Sequence, residues 1–296
     1  MKKNVMTKGQ VCGNAGEKKH GEDVVRGSDR IAASLFHKKN GKLVLENGSE
    51  YRGTLFGKLG CSDGEVVFNT GMTGYQETLT DPSYYGQIVT MTYPLIGNYG
   101  VNLSDLESEK PWVKGFIVGE RCPGASNFRA ELELEHYLES HGIVGLEGVD
   151  TRALAKELRE HGCMKGHIVA VGQDGKDGKL GTESKDKMTE DGKTKEGQVI
   201  VGNKKKAVYA VTTPTPYERG SMNTSLKVCG AEGKRIAVMD FGVKQSILKE
   251  WEKRGCQLTV FPAFASAEEI LGSKPDLVFL SNGPGDPAEL SEIVDQ

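Results

Sequence analysis

Residues 277–287 read LVFLSNGPGDP, and what this run offers chemically is backbone. Leu277, Val278, Phe279 and Leu280 form a short apolar run that reads as a strand buried on both faces. Ser281-Asn282-Gly283-Pro284-Gly285-Asp286-Pro287 then stops it abruptly. Glycine permits positive φ and close approach by another group, and proline stiffens the corner. A loop at the carboxyl end of a buried strand is where open α/β sheets bind ligands. It holds no strong acid, base or nucleophile, so its chemistry is N–H groups aimed at a carbonyl oxygen that gains charge. A glycine turn with no ligand is the plainer account of an isolated GPG.

Other spacings are weaker. Gly283-x-Gly285-x-x-Ala288 matches the dinucleotide fingerprint in letters only. That fingerprint belongs after the first strand of its unit, where this chain has Phe241-Gly242, and proline fills two of its variable positions. There is no GxxxxGK[ST] phosphate loop and no GxSxG elbow. Two polar, glycine-rich runs stand out earlier, FNTGMTGYQETLTDPS at 68–83 and TYPLIGN at 92–98. Either they are hydrogen-bonded loops that only pack on a neighbour, or they form a rim for a small amino-acid-like ligand. Ser83 follows Asp81-Pro82, which would fix its hydroxyl at a turn. His136, His141, His161 and His167 lack metal-ligand spacing and read as surface or helix-end residues. Asn127-Phe128-Arg129 reads as a turn before a helix. The six cysteines, at 12, 61, 122, 163, 229 and 256, form no CxxC pair and fit free thiols in a reducing compartment.

The elements that must position these residues fall into two patterns. Residues 1–40 have no sustained periodicity and read as a disordered extension. Over 41–170 the chain is β-rich. A hairpin turns at Asn47-Gly48, strands are expected near 65–69, 87–92 and 112–120, a helix over 129–140, a second helix capped by Asp150 and ended by Gly162, and a closing strand at 166–170. Residues 171–206 are almost free of large apolar side chains and read as a solvated insertion, with a linker to 233 that includes a β-like stretch at 207–211. From 234 the reading is strand (235–240), helix (Val243, Ile247, Leu248 and Trp251 on one face), strand (257–261), a capping box at Ser266 and Glu269, then the 277–280 strand. That order implies a parallel sheet. With 296 residues, 37% hydrophobic content and a net charge of −3, two soluble domains diluted by polar stretches are expected, with no nucleic-acid or membrane partner. No signal or transit segment is recognisable at the N-terminus.

Taken together, EVVFNTGMTGYQETLTDPSYYGQIVTMTYPLIGNYG, ASNFR, GVDTRALAKELREHG, RIAVMDFGVKQSIL and LVFLSNGPGDP resemble the small, glutamine-hydrolysing subunit of carbamoyl-phosphate synthetase. The resemblance covers about 42–170 and 234–290. It implies an α/β chain: a β-rich α+β domain peculiar to that subunit at 41–170, then the first part of a flavodoxin-like class I glutamine amidotransferase domain at 234–296. It implies ammonia release from L-glutamine, passed to a large subunit that makes carbamoyl phosphate for arginine and pyrimidine synthesis in the cytoplasm. It places glutamine contacts on Ser83, Gly283 and Gly285, with the Gly283 amide as an oxyanion donor. It puts the family's cysteine, histidine and glutamate beyond Gln296, so that this chain alone is expected to be inactive. No cofactor is expected on this chain, with ATP and Mg on the large subunit. The rival readings are an amidotransferase serving another synthase, which usually lacks a domain like 41–170, and a non-catalytic scaffold of the same fold.

Overall fold

The computed structural model describes residues 39–171, 204–220, 231 and 233–295. The extension expected over 1–40 and the insertion expected over 171–206 fall almost wholly outside them.

The first lobe begins with β1 (Lys39–Leu45) and β2 (Glu50–Gly57), antiparallel about Asn47-Gly48, where Gly48 takes φ +88°. There follow β3 (Ser62–Asn69), α1 (Tyr75–Thr80), a 3-10 turn (Pro82–Tyr84), β4 (Gln87–Met91), β5 (Leu95–Ile96), β6 (Gly115–Ile117) and β7 (Glu120–Arg121). Helix α2 (Leu134–Ser140), β8 (Val144–Glu147), α3 (Thr151–His161) and β9 (Met164–Ala170) complete the lobe. Seven of the strands close a barrel in the order β1-β2-β8-β6-β4-β3-β9. Alternation along each strand fills its two faces. Leu55, Val66, Ile88, Ile117 and Ile168 share one core with Leu154 and Leu158 of α3, while Phe56, Val89 and Phe116 share the other with Leu79 of α1 and Leu138 of α2. The interior is tight enough that a methyl at Gly166 would run into Val66 and Leu43.

Helix α2 starts at Leu134 rather than near 129. The amides of Glu131 and Leu132 are spent instead on the Val101 carbonyl, at 3.0 and 3.1 Å. Helix α3 follows expectation, with Asp150 accepting from the Ala153 amide and Gly162 as C-cap.

The second lobe contains α4 (Lys204–Val211), β10 (Tyr217–Arg219), β11 (Arg235–Asp240), α5 (Gln245–Lys253), β12 (Gln257–Pro262), α6 (Ala267–Gly272), β13 (Leu277–Leu280), a 3-10 turn (Pro287–Glu289) and α7 (Ser291–Val294). Its sheet runs β10-β12-β11-β13, with β11 parallel to both β12 and β13 and β10 antiparallel to β12. Two expectations are corrected. Residues 207–211 are helical, because Ala207 and Val208 bury one side of a turn while Tyr209 stacks outward on Phe264. The strand at 277–280 is not buried on both faces: Leu277, Val278 and Leu280 are 46%, 41% and 63% exposed. It is an edge strand hydrogen-bonded only to β11 among the described residues. Apolar composition states what a strand is suited to bury, not what covers it. Among the described residues no helix is long and apolar enough to cross a membrane.

Candidate functional site

Because β11, β12 and β13 are parallel, their carboxyl ends lie along one edge of the sheet. The buried Asp240 organises that edge. Its carboxylate accepts from the backbone amides of Gly242 (2.9 Å), Val243 (2.8 Å) and Thr213 (2.7 Å). This ties the turn after β11 to the segment after α4. Sequence reading treated Phe241-Gly242 as a simple turn and missed Asp240. The available signal was a lone carboxylate closing an apolar strand, which needs donors if it is to be buried.

The 281–285 loop lies directly on that turn. The Phe241 amide donates to Ser281 Oγ at 3.0 Å, and the Ser281 hydroxyl donates to the Asn282 carbonyl at 2.8 Å. A methyl at Gly283 would collide with the Phe241 carbonyl oxygen, so glycine is required there by space. At Gly285 it is required by conformation, φ +87°. Neither glycine amide is hydrogen-bonded among the described residues. Both residues line a cavity of about 240 Å³ together with Val208, Phe241, Leu280 and Ile293.

Ser83 reaches the same loop from the other lobe. It sits in the 3-10 turn, where its amide donates to Asp81 Oδ1 at 2.9 Å. Its Oγ accepts from Asn282 Nδ2 at 2.9 Å, and the same amide nitrogen donates to the Gly242 carbonyl at 3.2 Å. Ser83 therefore stands one residue from Gly283 in contact terms, although it does not line the cavity beyond the loop. The lobes meet at further points. Lys244 Nζ is 3.7 Å from Asp81 Oδ2, and Lys249 Nζ donates to the Ser104 carbonyl at 3.1 Å. The buried Glu107 takes the first amides of α5: its carbonyl accepts from Gln245 and its Oε2 from Ser246, both at 2.9 Å. Lys244, the N-cap residue of α5, makes no side-chain cap of its own.

Nothing else in the described residues competes for covalent or metal chemistry at this edge. Cys256 lies just before β12, at the opposite end of the sheet, where burial pushes its thiol pKa up. Cys61, Cys122 and Cys163 belong to the first lobe. His136, His141, His161 and His167 are exposed, two of them bonding helix carbonyls, and no group of metal-ligating side chains is found among the described residues.

Residues 43–168 match the family described as "Carbamoyl-phosphate synthase small chain, CPSase domain", and residues 237–295 match "Glutamine amidotransferase class-I". Over 255 residues the chain is 52% identical to a carbamoyl phosphate synthase small chain of Clostridium perfringens, covering 86% of this chain and 65% of that protein. The corresponding protein of Bacillus caldolyticus is 46% identical over 254 residues, covering 86% of this chain and 63% of that one. A carbamoyl phosphate synthase pyrimidine-specific small chain of Bacillus subtilis is 44% identical over 254 residues, with the same coverages. The chain thus spans somewhat less than two thirds of the length of the relatives it matches.

Proposed function

We propose that the chain, similar over most of its length to carbamoyl phosphate synthase small chains, belongs to that family and forms one wall of a glutamine site serving a glutamine-hydrolysing carbamoyl-phosphate synthase. Residues 41–170 act as the subunit's N-terminal domain and 234–296 as the first part of a flavodoxin-like amidotransferase domain, whose sheet is extended by β10, from within the stretch expected to be linker, through its pairing with β12. The observation that carries the reading is the hydrogen bond between Ser83 and the Asn282 side chain, across two lobes, beside the Gly283 and Gly285 amides, which have no bond among the described residues.

In this reading Ser83 binds the α-amino-acid end of L-glutamine, and Gly283 and Gly285 present backbone to its side chain. A cysteine thiolate of the amidotransferase attacks the carboxamide carbon. The C=O electron pair moves to oxygen, which the Gly283 N–H stabilises. Collapse of that adduct expels the nitrogen, protonated, as ammonia and leaves a thioester that water hydrolyses. The ammonia passes to a cytoplasmic large-subunit partner, which holds ATP and Mg and makes carbamoyl phosphate for the arginine and pyrimidine pathways. This chain needs no cofactor of its own.

The test is glutamine-dependent carbamoyl phosphate formation by the complete gene product paired with a large subunit. Ser83→Ala is expected to raise the KM for glutamine roughly tenfold, the loss of one hydrogen bond to a charged group, while ammonia-dependent synthesis stays unchanged. Wild-type activity with ammonia only would refute the reading.

A further inference from the structure

We propose that Asn282 is a positioning residue that sets the hydrogen-bond polarity of Ser83, making its hydroxyl a donor and thereby selecting a carboxylate on the ligand. The inference deepens the glutamine reading and rests on it. The orientation of the Asn282 amide is fixed by the Gly242 carbonyl, an acceptor only, which lies 3.2 Å from Nδ2. Turning the amide over would set oxygen against oxygen. The second Nδ2 hydrogen must then go to Ser83 Oγ, 2.9 Å away, so that Ser83 accepts from Asn282. A hydroxyl carries one hydrogen. That of Ser83 has no acceptor among the described residues, and Asn282 Oδ1 is buried and without a partner among them. A ligand meeting Ser83 is therefore offered a donor, which suits a carboxylate oxygen and gives a charge-assisted bond. Asn282 comes from the second lobe and Ser83 from the first, so this preference exists only while the lobes are apposed.

The chemistry tested is discrimination between L-glutamine and L-glutaminamide, whose α-carboxylate is replaced by a carboxamide. Titrations of the 296-residue chain are followed by NMR through the Gly283, Gly285 and Asn282 side-chain signals, which read millimolar affinities. The wild type is expected to favour glutamine over the amide. Asn282→Asp replaces the donor by an acceptor of the same shape, draws the Ser83 hydrogen to itself, and should reduce that preference by roughly tenfold. Ser83→Ala should reduce it equally, and the double variant no further. A spectrum retaining native dispersion shows that Asn282→Asp is folded; should it not fold, Ser83→Ala alone decides the donor role. Equal weakening of both ligands, or additive effects of the two substitutions, would overturn the role of Asn282 while leaving a glutamine site intact. Failure of the wild type to bind either ligand would overturn the glutamine reading itself and this inference with it.

Discussion

A carboxylate stripped of water without gaining a partner destabilises the fold that carries it. Glu77 of α1 is such a group: its Oε2 is buried with no hydrogen-bond partner among the described residues, and burial, with Asp105 and Glu107 nearby, raises its pKa. The native state therefore prefers the protonated form. Its favourable contribution is present below the unfolded pKa and is lost as pH rises through the raised folded value. Glu157 behaves oppositely. Hydrogen bonds from Ser49, Tyr51 and Asn47 hold its pKa down, so its contribution is present above the unfolded pKa and is lost as pH falls through the folded one. Calorimetry should accordingly find Glu77→Gln more stable than wild type near neutrality, by about 1 kcal/mol, with the gain vanishing in acid. Glu157→Gln should be less stable near neutrality, with the difference shrinking in acid. Gly283→Ala tests close approach at the candidate site. The added methyl meets the Phe241 carbonyl oxygen, and a cost of about 1–3 kcal/mol is expected, read as a lowered midpoint of the second lobe's unfolding. The Ser83, Gly283 and Gly285 positions were reachable from the sequence through the resemblance. Asp240 and Asn282 were not, because their significance lies in which distant groups surround them.

Elements divide the same way. The hairpin at Asn47-Gly48, the Asp150 cap and the Ser266–Glu269 capping box were legible because donor and acceptor lie within a few residues of each other. Residues 207–211 were misread because five residues, mostly apolar, fit either period, and only the partner surface decides. The cap on α5 was invisible: Glu107 stands 139 residues from Ser246. Glu107→Ala should cost about 1 kcal/mol, the usual loss for an N-cap. It should also accelerate hydrogen exchange at the Ser246 amide, with Glu107→Gln intermediate because its amide oxygen can still accept, while the Gln245 amide keeps its bond to the residue-107 backbone carbonyl in either variant. Unchanged exchange at the Ser246 amide would show that the Glu107 side chain contributes nothing to α5.

For the whole molecule, the two-lobed α/β character followed from the switch between β-rich and strand–helix patterns, but barrel closure did not. It depends on β1 pairing with β9, more than a hundred residues on, in a register no local signal sets. The exposure of β13 also belongs to this scale. An edge carrying Leu277, Val278 and Leu280 offers backbone unpaired among the described residues beside apolar side chains and should promote self-association of the 296-residue chain. Val278→Lys is expected to reduce that association in sedimentation velocity without altering the barrel. The two lobes gain their joint meaning from the seam between them, where the Asp81-Pro82-Ser83 turn meets the Asn282 side chain and the Gly242 turn. The most direct measurement is a crystal structure of the complete protein with L-glutamine bound. The ligand is predicted to lie with its α end at Ser83 and its carboxamide oxygen on the Gly283 amide. Glutamine bound away from that seam, or with Ser83 turned out of contact with both ligand and Asn282, would contradict the account.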